Sequence, residues 1–161
     1  MKVINVHERV LPASLTEIGK LIDNLASSDD KLWPRDQWPA MKFDRPLSVG
    51  AVGGHGPIRY VVERYQPGQS IQFRFTQPKA FLGSHRFEIE PLESEIVRLH
   101  HTIEMQVQGI AWLSWQWVIR PLHDALIEDA LDRAEHFIGG RPVKRKWSFW
   151  VKFLRRSMSR R

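Results

Sequence analysis

Residues 61–75, VVERYQPGQSIQFRF, hold two runs of alternating side chains joined at a four-residue turn. Pro67 and Gly68 stand where a type II turn needs a fixed φ followed by a positive one. In the second run Ile71, Phe73 and Phe75 fall on one side and polar residues on the other, the period of a strand with one buried face. A hairpin of this kind seeds an antiparallel sheet. Downstream, SHRFEIEPL (84–92) and EIVRLHHTIEMQV (95–107) alternate in the same way, and upstream the first strand of the hairpin begins near Ile58.

Further out, MKFD (41–44) and LSVGAV (47–52) read as short strands, with GGHGP (53–57) as a glycine-rich connection. VINVHERV (3–10) also has period two. Its apolar set is Ile4, Val6 and Val10, which is expected to face the core, with Asn5, His7 and Arg9 turned away. That makes seven strands. After Pro12, Ser14 is placed as a helix N-cap with Glu17 three residues on, and Leu15, Ile18, Leu21, Ile22 and Leu25 form one apolar stripe. KLWPRDQWPAM (31–41) holds two prolines and reads as a broken helix or loop. The last regular element is a long helix whose face carries Trp112, Trp115, Ile119, His123, Leu126, Ala130, Ala134 and Phe137, with Pro121 predicting a kink and Gly139–Gly140 its end.

The chain has 161 residues, enough for one domain with a core. It lacks cysteine, which excludes disulfides, thiolate metal sites and a cysteine nucleophile, and suits a reducing cytoplasm. MKVINVHERV lacks the apolar run of a secretion signal. GIAWLSWQWVI (109–119), the longest apolar stretch, is eleven residues and too short to span a bilayer. Nine of the 24 Lys and Arg residues lie in 141–161, which has no acid, so residues 1–140 carry 15 bases against 18 acids, a net charge of −3. The basicity belongs to the tail, and a nucleic-acid-binding body is not expected. The expected division is therefore a domain over 1–140 and a basic amphipathic tail over 141–161.

The order of one strand, a short helical pair, six antiparallel strands and a long helix resembles the SRPBCC superfamily of START, Bet v 1 and polyketide cyclase relatives. The likeness runs through residues 3–138 and rests on ERVLPASLTEIGKLID (8–23), VVERYQPGQSIQFRF, GSHRFEIEPL (83–92), HTIEM (101–105) and RPLHDALIEDALDRAE (120–135). It implies an α+β helix-grip fold, a seven-stranded curved antiparallel sheet wrapped around the long C-terminal helix. It also implies a cavity between them for a hydrophobic small molecule or lipid.

Strand and helix periods place Phe73, Phe75, His85, Phe87, His101, Ile103, Met105, Trp115, Ile119 and His123 on the walls of such a cavity. His7, His55, His100 and His136 fall outside it on the same counts. The expectation is a carrier or sensor in which each inward histidine is a polar group orienting a ligand. The rival is a cyclase- or dehydratase-like enzyme in which His85, His101 and His123 move protons. Neither metal nor cofactor is expected, because the three histidines are far apart in sequence and have no dependable inward carboxylate. Glu88 with Glu90, and Glu128 with Asp129, read as surface charge. No G-x-S-x-G, H-E-x-x-H or phosphate-binding loop is present.

The tail segment KRKWSFWVKFLRR (144–156) reads as a basic amphipathic helix. Trp147, Trp150, Val151, Leu154 and Met158 form one face, widened by Phe149 and Phe153, with Lys152, Arg155 and Arg156 opposite. Packing onto the domain is the plain expectation. The functional one is a foot on an anionic membrane surface through Lys144, Arg145, Lys146, Trp147, Trp150, Lys152, Arg155 and Arg156, which makes the protein cytoplasmic and peripheral to the membrane. Binding of unpaired nucleic acid comes third.

Overall fold

A computed structural model describes residues 1–143 and 145–159, Ser159 by its backbone alone. Its elements are β1 (Lys2–Leu11), α1 (Leu15–Asp23), β2 (Lys42–Phe43), β3 (Val52–His55), β4 (Ile58–Gln66), β5 (Ser70–Gln77), β6 (Phe81–Glu93), β7 (Ile96–Val107), α2 (Ala111–Ser114), a π-turn (Trp115–Ile119), α3 (Arg120–Phe137) and α4 (Phe149–Ser159). The strands form one antiparallel seven-stranded sheet in the order β1-β7-β6-β5-β4-β3-β2. The fold class read from the sequence is the one observed.

The β4–β5 hairpin closes as the sequence implies. Gly68 takes φ +74°, and the Gln69 amide donates to the Gln66 carbonyl at 3.0 Å. This turn also anchors α1. Asp23 Oδ1 accepts from the Gly68 amide at 2.8 Å and the Tyr65 hydroxyl at 2.9 Å. A Cβ on Gly19 would lie 2.5 Å from the Gly68 carbonyl oxygen, so only glycine lets helix and turn touch. The Glu17 amide donates to Ser14 Oγ at the start of α1, and Ile18, Leu21 and Ile22 bury its stripe.

Three local expectations are corrected. The strand before the hairpin is Val52–His55, not 47–52, so Gly53, Gly54 and His55 are sheet and not connection. Residues 31–41 follow the loop reading and not the broken-helix one, so the second helix of the expected pair does not form there: Pro34 and Pro39 interrupt any run, and the turns bury Trp33 and Trp38. In β1 the period is right and the face is reversed: Ile4, Val6 and Val10 are exposed, while Val3, Asn5, His7, Arg9 and Leu11 face the molecule.

The reason lies on α3, whose row Asp124, Glu128, Asp132 and Glu135 meets β1. Arg9 pairs with Glu128 at 3.2 Å, Asp132 at 2.9 Å and Glu135 at 2.6 Å. A row of carboxylates opposite a strand makes the polar face the inner one. Glu128 is therefore not plain surface charge. Neither is Asp129, whose Oδ2 accepts from the indoles of Trp38 at 2.7 Å and Trp147 at 2.9 Å. Glu88 and Glu90 are exposed and pair on the surface with Arg86, Arg98 and His100.

Pro121 does not break the long helix. Residues 111–137 are continuous, and the π-turn absorbs the ring one turn before it. Proline has no N–H, so the Trp117 carbonyl loses its α-helical donor. Trp150 of α4 replaces it, its Nε1 donating to that carbonyl at 2.7 Å.

Candidate functional site

Between the sheet and the helical rod lies a cavity of about 160 Å³. Its sheet wall includes Ile58, Phe75, Phe81, His85, His101 and Ile103, and its helix wall Trp115, Val118, Ile119, Leu122, His123 and Leu126. Trp33, Trp38, Pro39 and His55 close one side, and Arg155 and Met158 of α4 another. An apolar void of roughly 150 Å³ admits a benzene-sized molecule, so the space takes a compact ring system as it stands.

Of the ten side chains placed on cavity walls from sequence, seven are there: Phe75, His85, His101, Ile103, Trp115, Ile119 and His123. Phe73, Phe87 and Met105 share the inward face but belong to the close-packed core. Phe73 stacks on His85 and Phe43, and Phe87 meets His101 edge-on. Period two gives the face of a strand and not what covers each point along it. His55, on the strand misread as a loop, also lines the cavity and lies 3.0 Å by Nδ1 from the Tyr60 hydroxyl.

The polar groups of the site are nearly all imidazoles. His85 Nδ1 lies 3.3 Å from His101 Nε2, and the rings of His101 and His123 are 5.0 Å apart. Among the described residues His85 Nε2, His101 Nδ1 and both nitrogens of His123 are buried without a hydrogen-bonding partner, His123 Nδ1 standing 3.6 Å from Asp124 Oδ1. Burial holds His85 and His101 well below the ordinary imidazole range, with neighbouring histidines adding to the effect. It lowers His123 too, against the pull of Asp124, and pushes His55 down to about 3. The cavity therefore presents neutral imidazoles at pH 7.

His7 behaves oppositely. Burial opposes its charge, but the carboxylates of Asp124 and Glu128, at 3.1 Å from Nε2 and 2.7 Å from Nδ1, overcome that and raise it. Its ring is 5.9 Å from that of His123. Its place on the inner face of β1 was hidden by the reversed strand.

The tail packs onto the domain with one face. Val151 and Leu154 are buried, and Trp147 is half-buried against Trp38. Arg155 is turned inward: its guanidinium lies 4.7 Å from the Trp38 ring centre and donates to the Gln37 carbonyl. Arg155 and Trp147 are thus not part of an outward surface. Arg145 pairs with Glu128 at 3.1 Å, while Lys146, Trp150, Lys152 and Arg156 are exposed. Lys144 lies outside the described residues. Next to Trp150, Phe149 (84% exposed), Phe153 and Trp117 (64% exposed) also face outward, Trp150 and Phe153 stacked with ring centres 5.4 Å apart. Among the described residues no helix is long and apolar enough to cross a membrane.

No family model matches the sequence, and no curated protein does. Solved structures do match. Norcoclaurine synthase from Thalictrum flavum, solved with dopamine and hydroxybenzaldehyde, is 12% identical over 88% of this chain and 90% of its own, with a TM-score of 0.63. The di-domain ARO/CYC StfQ of the steffimycin biosynthetic pathway is 13% identical over 85% of this chain and half of its own, at 0.62. Ara h 8.0201 is 9% identical over 87% of this chain and all of its own, also at 0.62. Identities this low establish architecture and not chemistry. The chain therefore has the helix-grip fold that these structures share.

Proposed function

We propose that this protein is a carrier or sensor of a compact hydrophobic molecule, loaded at an anionic membrane surface on which α4 rests. The observation that carries this reading is the cavity itself: an apolar space with imidazole nitrogens that have no hydrogen-bonding partner among the described residues. A buried polar atom without a partner costs on the order of 1–3 kcal/mol, a cost recovered when a ligand hydroxyl, phenol or bridging water meets it. Such a ligand is flat or ring-shaped, with one or two polar groups. The fold likeness to a structure solved with two small aromatic molecules supports the same class.

The membrane half of the proposal rests on α4. Its inner face closes the cavity through Arg155 and Met158, and its outer face sets Phe149, Trp150 and Phe153 beside Lys152 and Arg156. Aromatic rings flanked by cations suit the interface of an anionic bilayer. Lifting α4 onto such a surface opens the cavity wall toward the lipid. The unit at 1–140 is then the binding domain, and 141–161 its lid and foot.

The test is co-sedimentation with phosphatidylserine-containing and neutral vesicles at low and high salt, with a F149S/F153S variant. The reading requires binding to anionic vesicles that weakens with salt and with the variant. Equal binding to neutral vesicles, or none, removes the foot; tighter binding to single-stranded nucleic acid replaces it.

A second reading is favoured by one observation, the neutral His85–His101 pair. Two unprotonated imidazoles in an apolar wall can take a proton from an acidic C–H or O–H of a bound carbonyl compound. Turnover of such a compound that is lost in His101→Gln would make the protein an enzyme.

A further inference from the structure

Behind the helix wall of the cavity, three donor atoms of residues from β1 and α3 converge. His7 Nε2 lies 3.1 Å from Asp124 Oδ1, His123 Nδ1 lies 3.6 Å from the same oxygen, and all three are within 4.8 Å of one another. We propose that His7, His123 and Asp124 form a binding site for a first-row divalent transition ion, of the zinc or cobalt kind. Donors bound tetrahedrally at about 2.0–2.1 Å are themselves about 3.3 Å apart, so two of the three separations are close to those of a filled site. The third closes by rotation of the His123 ring, whose Nδ1 stands 3.6 Å from Asp124 Oδ1 and has no shorter polar contact among the described residues.

The surroundings are those of a metal centre and not only of an ion pair. Glu128 Oε1 lies 2.7 Å from His7 Nδ1, leaving Nε2 for the ion; a carboxylate on the far nitrogen fixes the tautomer of a ligating imidazole. Each acid divides its oxygens. Glu128 gives Oε2 to Arg9 and Arg145, and Asp124 has Arg120 near Oδ2 at 3.7 Å, so in both cases the oxygen facing His7 is the other one. Asn5 Nδ2 donates to Asp124 Oδ1 at 2.9 Å and orients the carboxylate. Two imidazoles and one carboxylate are borderline donors, which select zinc-like ions over calcium or magnesium.

His123 belongs to both sites, since it also lines the cavity. Three protein donors leave a fourth position for water or for a ligand atom. An ion here would fix the ring of His123, and would add a Lewis acid at the edge of the hydrophobic space.

The test uses the full chain freed of metal by chelation. Co²⁺ is titrated while visible d–d absorption is recorded, and Zn²⁺ affinity is measured by competition with a chromogenic chelator. The expected result is one equivalent of Co²⁺ in a site of low symmetry, displaced by Zn²⁺. His123→Gln and Asp124→Asn should each weaken Zn²⁺ binding tenfold or more, with His136→Gln as an unaffected control. Circular dichroism of each variant confirms folding, and wild-type protein whose Zn²⁺ binding falls as pH drops from 7 to 5 gives a readout independent of substitution. Failure to bind one equivalent, or equal affinity in folded His123→Gln, overturns the proposal. Neither result touches hydrophobic ligand binding, which is read without metal.

Discussion

His85 Nδ1 and His101 Nε2 face each other at 3.3 Å in the wall of a largely apolar cavity, and among the described residues the other nitrogen of each ring has no hydrogen-bonding partner. Two neutral imidazoles at that distance share one proton between them, so one donates and one accepts. Removing one ring leaves the other wholly unsatisfied. His101→Leu should therefore destabilise the empty protein by about 1–3 kcal/mol, and the double change H85L/H101L should restore much of it. Urea unfolding of the wild type, both single variants and the double variant checks this; additive losses would contradict it.

The same burial gives a pH dependence with a definite sign. His85 and His101 have folded-state values held well below 6.5, the ordinary value. Above 6.5 both states are neutral and the groups are silent. Below it the unfolded chain takes up protons that the folded chain refuses, so stability falls as pH drops, by about 1.4 kcal/mol per pH unit for each group. His7, raised by its carboxylates, acts the other way: its contribution is whole below about 6.5 and is lost as pH rises through its folded value. Unfolding free energy measured from pH 8 to pH 5 should therefore fall on the acid side. A curve that rises steadily toward pH 5 would mean the cavity histidines are charged.

Arg9 joins three carboxylates of α3 from the inner face of β1. Arg9→Met keeps the length of the side chain and removes the charge, leaving Glu128, Asp132 and Glu135 opposed without it. The cost should be about 2–4 kcal/mol, more than for an exposed pair such as Arg98 with Glu90. Parallel denaturation of R9M and R98M decides it, and equal losses would count against the inner-face role.

The Trp150 bond to the Trp117 carbonyl ties α4 to the helix turn that Pro121 disturbs. Trp150→Phe should loosen α4 by about 1 kcal/mol, and Leu154→Ala by about 2 kcal/mol through lost burial. Both should speed uptake of a hydrophobic fluorophore, because α4 forms part of the cavity wall. Stopped-flow uptake by the two variants reads this; rates equal to wild type would mean that the ligand enters elsewhere.

How far the sequence carried the fold varies by element. The β4–β5 turn, the α1 cap and stripe, and the long helix were legible because each depends on neighbours within a few residues. The face of β1 was not, since Asn5, His7 and Arg9 are inward only because Asp124, Glu128, Asp132 and Glu135 stand opposite, more than a hundred residues away. His55 was lost with the strand that carries it. The tail's wheel predicted Val151 and Leu154 on one face, but Arg155 turns in beside them because Trp38 and Trp147 offer it aromatic faces. For the cavity, period placed seven residues on the wall and three in the core, a difference in depth that no alternation records.

The central claim is that the cavity holds a hydrophobic molecule, and Ile119→Trp, which fills it from the helix wall, tests that claim most directly. The measurement is native mass spectrometry of wild type and I119W after incubation with a panel of naphthol- and benzaldehyde-sized aromatic compounds, with melting temperatures recorded in parallel. The account predicts one bound molecule in the wild type and none in a folded I119W. Binding that is equal in the two proteins, or absent from the wild type across the panel, would contradict it.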